Sequence, residues 1–167
     1  MPLLLMIWFG CAEPNPSPRP EGLGDPLIQL GTGEWEWEAL DNITEMPIIQ
    51  GPQGGFHFLA SVRVSGIEPG DPKDLSDPNN PTTAFSVLFG DVDITMSATY
   101  TQGLEHAPDA ADPFRHQMVG RFVIVDILAD EELVGSEVEL AVTVTDVLGT
   151  ELQASKRVSV YPHPFNH

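Results

Sequence analysis

Cysteine occurs once in this chain of 167 residues, at Cys11, so no internal disulfide can form and Cys–His catalysis has no nucleophile to spare. Basic residues are scarce: Lys and Arg number 7 against 25 Asp and Glu, for a formal net charge of −18. Nucleic-acid binding is excluded on that balance, because it rests on cationic side chains displacing counterions from phosphates. An electrostatic hold on anionic lipid fails for the same reason. The apolar start spans only residues 3–9, far short of the roughly 20 residues a transmembrane helix needs. No window sustains a 3.6-residue period, no G-x-S-x-G elbow occurs, and no H-E-x-x-H pair exists. An enzyme is therefore not expected.

What is present begins at the N-terminus, MPLLLMIWFG-C-AEPNPSPRPEG. The short apolar segment, 1–10, has the character of a signal, although no basic residue precedes it. The motif WFGC (8–11) resembles the lipobox of bacterial lipoproteins at Gly10 and Cys11. It departs from that pattern at Trp8 and Phe9, where an aliphatic and a small residue are usual. The resemblance implies that Cys11 receives lipid and anchors the protein to a bacterial membrane, facing the periplasm or the cell surface. Residues 11–26 then carry Pro14, Pro16, Pro18, Pro20 and Pro26. Prolines at alternate positions favour an extended tether of about 3 Å per residue.

From 27 to 161 the period is two, and 162–167 reads as a tail. In 33–40, Trp35 and Trp37 share one face and Glu34, Glu36 and Glu38 the other, predicting a strand with its indoles inward. In 55–66, Phe56, Phe58, Ala60, Val62 and Val64 alternate with His57, Leu59, Ser61, Arg63 and Ser65, and His57 falls on the outer face. In 92–101, Ile94, Met96, Ala98 and Tyr100 are expected to point inward. RFVIVDIL (121–128) is apolar at nearly every position, as a strand covered on both sides would be. Residues 136–146 and 150–161 predict an antiparallel hairpin turning at Gly149, and ADEEL (129–133) a single short helical turn.

Proline, glycine and Asx clusters at 68–72, 77–81, 90–91 and 107–113 separate these segments. Seven to eight strands at that spacing predict an all-β, antiparallel sandwich. The closing VELAVTVTD-x-x-G and the valine-rich strand after it resemble the last two strands of immunoglobulin-like domains. The Cys…Trp…Cys signature of antibody domains is missing. GPQGGFHF (51–58) is similar to a segment of uncharacterised bacterial lipoproteins, which implies a class and no activity.

Two loops attract functional interest. GDPKDLSDPNNP (70–81) gathers Asp71, Asp74 and Asp77, and GDVD (90–93) adds Asp91 and Asp93. Oxygen donors crowded into loops suit calcium, although the spacing is not that of an EF-hand. LEHAPDAADPFRH (104–116) reads as a long exposed excursion of the kind that carries recognition, with His106, Asp109, Asp112 and His116 as contact residues for a protein partner in the envelope. His106, His116 and Met118, with Met96, also offer the imidazole and thioether donors that suit copper.

Overall fold

The computed structural model describes residues 22–108 and 112–166. Cys11, Asp109 and nearly all of the tether lie outside the described residues. The fold is all-β, a curled mixed sheet. Its strands are β1 (Leu27–Thr32), β2 (Glu38–Ala39), β3 (Glu45–Gln50), β4 (Phe56–Ser65), β5 (Thr82–Phe89), β6 (Val92–Asp93), β7 (Thr95–Ser97), β8 (Thr99–Thr101), β9 (Glu105–His106), β10 (His116–Val125), β11 (Glu137–Thr145) and β12 (Glu151–Pro162). Two 3₁₀ turns, Leu40–Asn42 and Asp130–Glu132, are the helical elements among the described residues.

Alternation accounts for the strongest strands. β4 buries Phe56, Phe58, Ala60, Val62 and Val64, and β11 buries Val138, Leu140, Val142 and Val144. Each of these side chains larger than Ala60 contributes roughly 1.5–3 kcal/mol when withdrawn from water. β11 and β12 form the predicted hairpin, in register from Glu137 opposite Ser159 to Thr145 opposite Glu151. Gly149, at φ 81°, supplies the left-handed residue that its turn requires. The short turn expected at 129–133 is also present, closed by Glu132, whose carboxylate accepts from the amides of Leu128 and Ala129.

β4 is flanked by β1 and β10, while β5 and β12 flank β11. β3 links these two groups. Its first residues pair in parallel with β12, and Ile49 and Gln50 pair antiparallel with β4. The sheet is therefore mixed, where a purely antiparallel one was expected. It curls so that β4 and β10 on one side and β5, β11 and β12 on the other bury their apolar residues in one cluster.

Three further expectations give way. Residues 33–37 form a bend instead of a strand, and Trp35 is 85% exposed. The bend folds over β10, where the Glu34 carbonyl occupies the space a side chain on Gly120 would need. Residues 92–101 break into β6, β7 and β8, because the chain pairs in turn with β5, β10 and β5 again. Ala98 stays buried, but Met96 is exposed. Finally, β10 is covered on one face only: Val123 and Val125 are buried while Phe122 and Ile124 face outward.

Candidate binding surface at the loop end

The two loops singled out in the sequence meet. β4 ends at Ser65 and passes into 66–81, β10 begins at His116, and the β11–β12 turn returns at Asp146. Leu104 N–H donates to the Pro69 carbonyl at 2.8 Å, and Gln102 N–H to that of Pro81 at 3.3 Å. The Ser65 hydroxyl donates to the Pro113 carbonyl at 2.7 Å and accepts from Arg115 N–H at 2.8 Å. Glu68 N–H donates to the Asp146 carboxylate at 3.0 Å. β1 starts at Leu27 opposite Ser65, so the chain enters the domain at this same end.

The acidic loop has an internal order that the composition conceals. Backbone bonds run from Asp74 N–H to the Asp71 carbonyl, from Asp77 to Asp74 and from Asn80 to Asp77. Each turn opens on an aspartate whose carboxylate accepts the amide two residues on, at Lys73, Ser76 and Asn79 respectively. These are Asx turns repeated every third residue. The Asp74 carboxyl is held below the ordinary carboxylate range by its bonds to the Ser76 hydroxyl and amide. Buried Asn80 closes the series, accepting from Asp71 N–H and donating to the Asp74 carbonyl. Asp91 and Asp93 stand at the other end of β5, about 20 Å away by strand rise. The five carboxylates considered for calcium are thus not brought together, and no three His, Cys, Asp or Glu converge among the described residues. The D-x-x-D-x-x-D-x-x-N spacing was the legible sign of the turn series.

The 104–116 segment is less of an excursion than expected. Leu104 is buried, and β9 pairs with β10 so that His106 stands directly opposite His116. Their ring centroids are 4.9 Å apart. Burial, then the neighbouring His106 and Arg115, lowers the His116 pKa and favours its neutral form. Met118 follows on the same strand but is in the core, and Met96 lies toward the far end of β10, beside Ile124 and Val125. The thioethers considered for copper therefore do not join the imidazoles. Asp112 is occupied: its carboxylate pairs with Arg63 at 2.6 Å and caps Phe114 N–H at 2.9 Å.

A second surface lies at the opposite end. Phe122, 53% exposed, meets the His57 ring edge-on at 4.7 Å, and Ile124 stands across from His57. With Pro52, Gln53 and Phe56 they line an open cavity of about 610 Å³. Burial, helped by nearby His163, lowers the His57 pKa. The C-terminal residues dock alongside, where the Asn166 amide accepts from Gln50 N–H and donates to Ile48 and Asp130. Sequence reading missed this surface because an all-apolar run carries no sign of which face is covered. The perimeter of the GPQGG turn was its one available clue. No protein-family model, curated protein or solved structure matches this chain.

Proposed function

We propose that this protein is a lipid-anchored, extracytoplasmic module of immunoglobulin-like type with a structural or protein-binding role. The anchor reading rests on the junction of Gly10 with Cys11 and the proline-rich segment that follows. Such a thiol would receive acyl chains, each buried CH₂ contributing roughly 0.8 kcal/mol to membrane attachment. The immunoglobulin-like reading is supported by the strand order. β1, β4, β10 and β7 lie side by side, as do β5, β11 and β12, matching the A-B-E-D and C-F-G groupings of that architecture.

One observation carries the binding role: the loop 68–82, the described residues of 104–116 and the turn at Asp146 crowd together on a hydrogen-bonded scaffold, the arrangement by which rigid sheets present recognition loops. Two measurements test the proposal. A palmitate analogue should label the wild type and not Cys11→Ala, and equal labelling would end the anchor reading. A photo-crosslinker at exposed Leu75 should yield a discrete envelope adduct that one at Val92, across the domain, does not. Identical adducts from both positions would remove the loop end as the binding surface.

A further inference from the structure

We infer that His106 and His116 form a binding site for a divalent transition-metal ion, with copper(II) held most tightly. The backbone builds the pair. Ala107 N–H donates to the Arg115 carbonyl at 2.9 Å, a single bond that flanks the β9–β10 pairing, while Arg115 N–H turns the other way to Val64. His106 and His116 are directly opposite one another in that pairing, where cross-strand side chains are close neighbours. The two rings are tilted by 31° with centroids 4.9 Å apart, which sets two imidazoles side by side.

The surroundings differ for the two rings. On its other side β10 sets His116 beside Val64, which is fully buried, so the His116 ring leans toward the rim of the core. Its Nδ1 is buried and has no hydrogen-bond partner among the described residues. A polar atom in that position is normally satisfied, by protein, water or an ion. His106 lies on the exposed edge strand and leaves the pair open to solvent. A cation arriving there also enters the field of a chain with formal net charge −18.

The donor set selects the ion. No third His, Cys, Asp or Glu joins the pair among the described residues, so water completes the coordination sphere. Two imidazoles with open positions suit copper(II), nickel(II) and zinc(II), and copper(II) leads that series for nitrogen ligands. Copper(I) would call for the thioether of Met118, which is buried in the core. The inference stands apart from the anchored-module reading, since it needs neither lipid nor a protein partner.

The test is calorimetric titration of the full chain carrying Cys11→Ser, which removes the competing thiol, with copper(II) alone and then zinc(II) alone. One copper per chain is expected, bound more tightly than zinc and accompanied by a rise in Tm, because a ligand of the native state stabilises it. His106→Gln, at an exposed position and harmless to folding, should weaken copper binding at least about tenfold, as should His116→Gln. The double variant His57→Gln/His163→Gln should bind as before. Absence of copper binding, binding unmoved by His106→Gln, or binding lost only in the His57/His163 variant would each overturn the inference.

Discussion

The Arg63 guanidinium lies over the indole of Trp37, 4.7 Å from the ring centroid. Trp37 closes the bend that follows β1, and Arg63 reaches it from the outer face of β4. The same guanidinium pairs with Asp112 at 2.6 Å and donates to the Gln117 side chain at 3.1 Å. One side chain therefore ties the bend, the segment before β10 and β10 itself to the central strand. Its side chain is 11% exposed, so salt should screen the pair little.

Arg63→Met should destabilise the domain by about 2 kcal/mol, the range for losing charge-assisted bonds together with a cation–π contact. Trp37→Leu alone should cost about 1 kcal/mol. Because both changes remove one shared contact, the double variant should cost less than their sum in a urea-denaturation cycle. Strict additivity would show that the stacking contributes nothing.

Asp146 is buried, and its carboxylate accepts from the amides of Leu148, Thr150 and Glu68. Asp146→Ala strands those donors and should cost about 2–4 kcal/mol in chemical denaturation. Asp91→Ala, at an exposed turn, should stay within about 0.5 kcal/mol. Equal effects would mean that Asp146 does not hold the loop end together.

Phe122 and Ile124 are the outward residues of β10. The double change Phe122→Ser/Ile124→Ser should leave the circular dichroism unchanged and cost about 1 kcal/mol or less. Fluorescence of a bound hydrophobic dye should fall. Loss of folding would show that this surface is part of the core.

His57 has a pKa below that of a free histidine, through burial first and His163 second. Between the two pKa values the unfolded chain binds more protons than the native one, so stability rises with pH across that window. Tm should therefore be level above about pH 7, fall as pH drops through the unfolded value near 6.5, and level off below the native value. His57→Gln should lessen that fall, and His116, whose pKa is lowered in the same direction, should carry the remainder. A variant as pH-sensitive as the wild type would assign the effect to another group.

Particular elements explain what could be read in advance. β4 and the β11–β12 hairpin were legible because alternation and a turn glycine are local signals, and their buried faces answer to them directly. Trp35 and Trp37 carry the same alternation, yet they belong to a bend whose shape depends on Gly120 from a distant strand. Residues 92–101 keep a period of two while changing partner twice, and periodicity does not name partners. The candidate loops were legible as loops. Their meeting, and the stacking of His106 on His116, depended on a register set elsewhere in the chain.

By itself the sequence determined an acidic, all-β body, its principal strands and the position of its turns, since those follow from composition and from neighbours a few residues apart. Only the tertiary structure decided that β3 pairs in parallel with β12, that β10 leaves Phe122 and Ile124 outside, and that two histidines ten residues apart face one another. The reason is physical. Strand pairing and the covering of a sheet face are non-local choices, made by whichever arrangement buries the most apolar surface while satisfying every backbone amide.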